Sequence, residues 1–287
     1  MQSNEIRTVA VLGAGTMGGG IAHVFARSGY TVILRDVSTE VLDHTLATIS
    51  TNLDREIKKG KVPAAEKHPI LARIHVTTDS ARLADADFAV EAVPERAELK
   101  LAVLTEADRV LRPAVILASN TSSISIATLG AATSRPDRFI GMHFMNPVPM
   151  MELVEVVRAP ATSEATLAAT MDLARALGKK PVAVNDAPGF VANRVLMPLI
   201  NEAAFAVMDG VATPEAVDAV MKTGMNHPMG PLELADLIGL DVCVDIMNVL
   251  EAGLHDAKYA ACPLLRKLVA EGHLGRKSRQ GFYNYAH

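Results

Sequence analysis

His143 and Glu155 are the residues whose types and spacing most directly suggest proton chemistry. His143 closes the apolar run Phe139-Ile140-Gly141-Met142, and Glu155 lies inside Leu153-Val154-Glu155-Val156-Val157. Between the two runs, Asn146-Pro147-Val148-Pro149 is long enough for a hairpin turn and too short for a crossover helix. A hairpin folded near Pro149 makes the two residues cross-strand neighbours, within reach of an imidazole–carboxylate hydrogen bond. Histidine titrates near neutral pH, and a carboxylate behind it fixes the tautomer and stabilises the imidazolium. Such a pair can take the proton of an alcohol while a hydride leaves for a nicotinamide. The same spacing fits a strand-end histidine in a purely structural hydrogen bond equally well.

The amino-terminal segment carries the elements that would place a hydride acceptor nearby. Thr8-Val9-Ala10-Val11-Leu12-Gly13-Ala14-Gly15-Thr16-Met17-Gly18 reads as a buried strand, a glycine-rich turn and a helix start. Gly13, Gly15 and Gly18 occupy the three fingerprint positions, and Thr16 and Met17 open a helix on which Ile21, Val24 and Phe25 continue the apolar spacing. Its free N–H groups and positive dipole suit a phosphate. Asp36 ends the next apolar run, Thr31-Val32-Ile33-Leu34-Arg35, close to the ~20-residue offset at which an acid accepts the ribose hydroxyls. NAD is therefore expected rather than NADP, since a carboxylate repels a 2′-phosphate, with Arg35 softening the preference. A strand-end aspartate also serves as an ordinary turn residue.

A chain of 287 residues suggests two domains, and 49% hydrophobic with 21% charged residues places it among globular proteins. A net charge of -4 argues against a nucleic-acid partner, and no apolar run approaches the ~18 residues of a membrane span. Glycines between Gly13 and Gly20 interrupt the apolar region after Arg7, so a signal peptide is not expected. Cys243 and Cys262 lack the spacing of a disulfide framework or zinc site, which points to a reducing, cytoplasmic compartment and no metal. Further strand candidates lie at Phe88–Val93, Val115–Ala118, Phe139–His143, Leu153–Val157 and Val182–Val184, with helical stretches such as Glu98–Leu111 between most of them. This alternation predicts an α/β fold with a doubly wound, Rossmann-type, mostly parallel sheet over residues 1–184. Residues 185–287 read as an all-α domain, with Thr213-Pro214-Glu215 starting a helix and Gly224 stopping it. Val191–Met208 and Leu232–Leu250 are apolar over much of their circumference, so this domain is expected to pack into a homodimer.

Taken together, GAGTMG, SNTSSISI, HFMNPVPMMELVEV, DAPGFVANR, NHPMGPLELADLIGLD and GRKSRQGFY resemble the short-form L-3-hydroxyacyl-CoA dehydrogenases, and among them the bacterial 3-hydroxybutyryl-CoA branch. The resemblance spans nearly the whole chain. It implies an acyl-CoA substrate, His143 as general base and Glu155 as its orienting partner. It also implies that Ser122 reaches the reacting oxygen and cofactor, and that Asn193 contacts the substrate near its reacting carbons. Glu95, Lys100, Asn120, Asn146 and Lys277 match positions that touch NAD. Two departures stand out. Asn52 replaces a serine that touches coenzyme A in some relatives, and Arg279 stands where the family pattern has a glycine. Arg55, Lys58, Lys59 and Lys61 form a basic cluster suited to the acidic half of coenzyme A, or simply to a solvated helix end. Two other functions fit the residues less well: a dehydrogenase of a free hydroxy acid such as a sugar acid or carnitine, and a non-catalytic NAD-binding protein.

Overall fold

The computed structural model describes residues 5–285, which divide into two compact units, one through Ala187 and one from Pro188. The first unit contains β1 (Thr8–Leu12), α1 (Thr16–Arg27), β2 (Thr31–Arg35), α2 (Thr39–Lys58), α3 (Lys67–Ala72), β3 (Ile74–Thr77), β4 (Phe88–Glu91), α4 (Ala97–Val110) and β5 (Ile116–Ser119). It continues with α5 (Ile126–Ala131), β6 (Phe139–Phe144), β7 (Leu153–Arg158), α6 (Glu164–Ala176) and β8 (Lys180–Asn185). The strands form one eight-stranded sheet in the order β3-β2-β1-β4-β5-β6-β7-β8. Every neighbouring pair is parallel except β6 with β7. Central strands such as β1 and β4 are buried on both faces, which is why they read as continuous apolar runs rather than alternating ones. Val9, Val11, Phe25, Val32, Phe88, Val90 and Ile140 form the centre of this core.

Two sequence expectations need correcting here. β3 was not anticipated, because Ile74-His75-Val76-Thr77 is a four-residue edge strand with His75 and Val76 exposed, so it lacks an apolar pattern. The strand read as Phe88–Val93 ends at Glu91, where the Val93 amide turns back to donate to the Glu91 carboxylate at 2.7 Å.

The second unit comprises α7 (Ala192–Met208), α8 (Pro214–Gly224), α9 (Pro231–Ile238), α10 (Leu240–Leu254) and α11 (Pro263–Ala270). Met197, Ile200, Leu232, Leu240, Met247, Leu250 and Leu265 form its core. Thr213 caps α8 through its hydroxyl, which accepts from the Ala216 amide at 3.3 Å. The stretch read as one helix from Leu232 to Leu250 is two, because Gly239 adopts φ +109 and ends α9 before α10 begins.

After α11 the chain returns as a tail held by two buried carboxylates. Asp236 accepts from the Phe282 amide at 3.0 Å, the Tyr283 amide at 2.9 Å and the Tyr285 hydroxyl at 3.1 Å. Asp218 accepts from the Tyr283 hydroxyl at 2.7 Å. Burial, together with the nearby Asp218 charge and against these hydrogen bonds, raises the Asp236 pKa above the usual carboxylate value. Arg279, the departure from the family's glycine, sits in this tail at φ 62, in the left-handed region. An L side chain costs ~1–2 kcal/mol there, partly offset by the entropy that glycine adds to the unfolded chain. Arg279→Gly is therefore expected to stabilise the protein by about 0.5–1 kcal/mol. A thermal unfolding scan checks this, and an unchanged or lowered Tm contradicts it.

Candidate active site

The carboxyl ends of β1, β4, β5 and β6 share one edge of the parallel sheet, and the chemistry-bearing residues of the first unit gather at and just beyond those ends. At the end of β1, Gly13 adopts φ +101, and a Cβ there would lie 2.8 Å from the Ala92 carbonyl oxygen. A Cβ on Gly18 would overlap the Gly13 carbonyl oxygen, so the turn and α1 can approach each other only as glycines. Gly15 has no atom within 4 Å of where its Cβ would lie. It caps α1 without a side-chain partner, Thr16 and Met17 follow it, and the first turn carries no acid. An uncapped, acid-free helix end beside an open glycine fits a pyrophosphate. Asp36 follows β2; its carboxylate accepts from the Ala14 amide at 2.7 Å and from the Val37 and Ser38 amides at 2.7 and 3.3 Å. The acid is thus anchored on the glycine turn itself.

β6 and β7 pair in the register His143↔Glu155. Nδ1 of His143 lies 2.8 Å from Oε2 of Glu155, with the residues 7% and 2% exposed, so the pair is largely shielded from water. Beyond β6, the exposed Asn146 precedes Pro147 in a cis peptide bond. The turn that closes the hairpin is held from two sides. Gly20 on α1 leaves room for Val148, whose Cβ would meet a Cβ at 2.9 Å, and the Lys179 ammonium donates to the carbonyls of Val148 and Met151 at 2.5 and 2.7 Å. Burial and the Arg27 charge push the Lys179 pKa down to about 8. Lys179 was not anticipated from the sequence, where it looks like one of two surface lysines after a helix.

Beyond β5, the Asn120 side-chain oxygen accepts from the Phe144 amide at 2.9 Å, tying that loop to the His143 strand. The half-buried Ser122 follows in a turn wrapped around Glu95. Oε1 of Glu95 accepts from the Thr121 hydroxyl at 2.6 Å, the Ser122 and Ser123 amides at 2.9 and 3.0 Å, and the Ser122 and Ser123 hydroxyls at 3.3 and 2.9 Å. Burial raises the Glu95 pKa, but the Lys100 charge and these hydrogen bonds outweigh it and leave the carboxyl below its usual value. Lys100 is 1% exposed and its ammonium meets three acceptors: Glu91 Oε1 at 2.8 Å, the Val93 carbonyl at 3.0 Å and Glu95 Oε2 at 3.2 Å. Glu91 and Ser119, both fully buried, complete the group and were missed by the sequence reading. The signal available was a carboxylate inside the apolar run Phe88-Ala89-Val90-Glu91, which a buried strand tolerates only with a partner.

The remaining expected site residues fall on α2 and in the second unit. Asn52, on α2, accepts from Arg55 at 3.2 Å, and Lys59 is the exposed carboxyl cap of that helix. Asn193 is the second residue of α7 in the other unit, and Lys277 in the tail pairs with Asp241 at 2.5 Å.

The glycine turn at a helix amino end and the acid closing the second strand are what a Rossmann-type dinucleotide site requires, and the His143–Glu155 pair lies at the same sheet edge. Residues 8–187 match the 3-hydroxyacyl-CoA dehydrogenase NAD binding domain and residues 189–285 the 3-hydroxyacyl-CoA dehydrogenase C-terminal domain. The chain belongs to the 3-hydroxyacyl-CoA dehydrogenase family, and its first unit is the family's NAD-binding domain. It is 54% identical to a probable 3-hydroxybutyryl-CoA dehydrogenase of Deinococcus radiodurans, over 96% of this chain and 99% of that one. Against the 3-hydroxybutyryl-CoA dehydrogenase of Bradyrhizobium diazoefficiens the identity is 51%, over 98% and 96%. Among solved structures, the (S)-3-hydroxybutyryl-CoA dehydrogenase of Ralstonia eutropha superposes with a TM-score of 0.96 at 49% identity, covering 98% of this chain and all of that one.

Proposed function

We propose that this protein catalyses the reversible NAD-dependent oxidation of an L-3-hydroxyacyl-CoA, of the four-carbon class named in its relatives, to the 3-ketoacyl-CoA. The single observation that carries the chemistry is the His143–Glu155 pair, shielded from water at the sheet edge that also carries the glycine turn. When bound, NAD supplies the acceptor for the hydride on the substrate's C3. Gly15, Thr16, Met17 and Gly18 would hold the pyrophosphate on backbone amides, Gly13 would shape the turn while its own amide stays on the Arg35 carbonyl, and Asp36 would accept the ribose hydroxyls, disfavouring NADP. His143 takes the hydroxyl proton at Nε2 as the carbonyl forms. Glu155, on Nδ1, keeps the ring in the tautomer that can accept there and stabilises the imidazolium that results. In the reverse direction the same nitrogen returns the proton to the forming hydroxyl.

Ser122, whose hydroxyl reaches Glu95 Oε1 at 3.3 Å, is assigned to the reacting oxygen, and Asn193, in the second unit, to the substrate, as the family resemblance implies. Glu95, Asn120 and Asn146 would bear on the nicotinamide half of NAD, and Lys277 is assigned a cofactor role by the family resemblance; Lys100 acts through Glu95, because its buried ammonium is hydrogen-bonded to Glu91 and the Val93 carbonyl and ion-paired with Glu95. Asn52 and Lys59, in the basic stretch at the end of α2, receive the coenzyme A handle. Turnover of (S)-3-hydroxybutyryl-CoA against free 3-hydroxybutyrate tests the substrate class. The thioester is expected to have a kcat/KM at least ~10²-fold higher, since binding energy from the remote handle acts at the reacting centre. A preference for the free acid overturns it.

The reading includes a homodimer built through the second unit. Val191, Val195, Val220, Met225 and Leu237 are exposed apolar residues there, a concentration that favours burial against a second copy. Sedimentation is expected to report twice the 30.5 kDa chain mass, and a monomer at micromolar concentration contradicts it. A cytoplasmic location belongs to the same reading: Cys243 and Cys262 are buried free thiols, and none of the helices among the described residues is long and apolar enough to cross a membrane.

A further inference from the structure

Glu91 has no part in the mechanism above, yet it is a fully buried carboxylate at the carboxyl end of β4, on the edge where the chemistry gathers. Each of its oxygens is committed. Oε1 accepts from the Lys100 ammonium at 2.8 Å and the Val93 amide at 2.7 Å, while Oε2 accepts from the Ser119 hydroxyl at 2.6 Å. Ser119 Oγ in turn accepts from the Thr121 amide at 3.2 Å. Two relays therefore run from Glu91 to the residues around Ser122: one through Ser119 to Thr121, the other through Lys100 to Glu95.

The second relay carries charge. Lys100 lies between two carboxylates, and Glu91 with the Val93 carbonyl holds its ammonium on the Oε2 side of Glu95, at 3.2 Å. Oε1 of Glu95 is thereby left to the turn, where the hydroxyls of Thr121, Ser122 and Ser123 and the amides of Ser122 and Ser123 all point at it. Without Glu91, a buried ammonium would have Glu95 as its only anionic partner. The attraction would then draw it across both oxygens and set it in competition with the turn.

We propose that Glu91 is a positioning residue for Ser122, fixing the 121–123 turn through Lys100–Glu95 and through Ser119. The proposal rests on the assignment of Ser122 to the reacting oxygen for its catalytic consequence, but its structural half does not.

The test is amide hydrogen exchange by mass spectrometry on the full-length protein carrying Glu91→Gln, with steady-state kinetics on the same samples. Glutamine keeps the shape but removes the charge that faces the Lys100 ammonium, and an amide N–H facing Ser119 makes that hydroxyl an acceptor where it now donates. The Ser122 and Ser123 amides are expected to exchange at least ~10-fold faster than in the wild type, the factor for weakening a hydrogen bond to a charged acceptor. The amides of β1 should be unchanged. With 3-hydroxybutyryl-CoA, kcat falls at least ~10-fold while KM stays within about twofold, because the reacting oxygen loses a placed donor and the handle does not.

Where Glu91→Gln alone does not fold, Glu91→Asp, which keeps the charge but draws it back from Lys100 and Ser119, is expected to show the same loosened turn and lowered kcat. Unchanged exchange at residues 122 and 123 in a folded variant overturns the proposal, as does faster exchange with wild-type kcat. A wild-type protein that turns over no hydroxyacyl thioester overturns the assigned activity instead, and the exchange rates still decide the part played by Glu91 in holding the turn.

Discussion

His143→Gln is expected to lower kcat by about 10²- to 10⁴-fold with little change in NAD affinity. Glutamine preserves roughly the reach of the imidazole and can still hydrogen-bond the carboxylate of Glu155, so the hairpin that carries both is retained. What it lacks is a nitrogen that accepts a proton near neutral pH. The expected loss corresponds to ~3–5.5 kcal/mol of transition-state stabilisation, the usual contribution of a placed general base. The glycine turn and Asp36 belong to β1, α1 and the end of β2 and do not depend on the ring. NAD titration by fluorescence should therefore give a Kd within about twofold of the wild type, while NADH production from the thioester collapses. Near-normal turnover in this variant removes His143 from the chemistry.

Gly18→Ala is expected to act on the other half of the site and at its first step. The added methyl would overlap the Gly13 carbonyl oxygen, a backbone atom of the turn itself, so no side-chain rotation relieves it. Gly13 cannot retreat readily, because its own Cβ position already faces the Ala92 carbonyl carbon at 2.9 Å and the Val93 amide nitrogen at 3.0 Å. The turn and α1 must separate, at a cost of about 1–3 kcal/mol typical of overpacking, and the amides presented to the pyrophosphate move with them. NAD affinity should fall by roughly 10- to 100-fold and Tm should drop, since a degree or more is lost for each kcal/mol in a chain of this size. Calorimetric titration and a thermal scan on the same sample check both. Wild-type NAD affinity in this variant contradicts the assignment of the turn.

Much of this site is legible in the sequence because it is built from local rules. The dinucleotide turn needs its glycines at fixed offsets, and the strand before it and the acid after it are set by apolar runs. The hairpin that joins His143 to Glu155 could be placed because Asn146-Pro147-Val148-Pro149 interrupts two apolar runs and leaves too few residues for a crossover. At Arg279 the family resemblance, not a local rule, marked a glycine position, and the residue there has a positive φ.

What escaped depends on tertiary pairing. β3 is held by β2 alone at the sheet edge, with no apolar pattern of its own. The break at Gly239 hides inside an apolar stretch because a single glycine does not announce its φ. Lys179 looks like an unremarkable charge until the fold brings it the carbonyls of Val148 and Met151, and Glu91, though conspicuous in an apolar run, does not reveal that its partners are Lys100 and Ser119.

The central claim is that the ring of His143, oriented by Glu155, exchanges a proton with the oxygen on C3 of the acyl chain. A crystal structure of the protein with NAD and 3-ketobutyryl-CoA tests it most directly. The account predicts the C3 oxygen within hydrogen-bond distance, ~2.6–3.2 Å, of His143 Nε2, with Nδ1 still on Glu155. A substrate bound with that oxygen beyond reach of His143 and directed at another proton acceptor contradicts it.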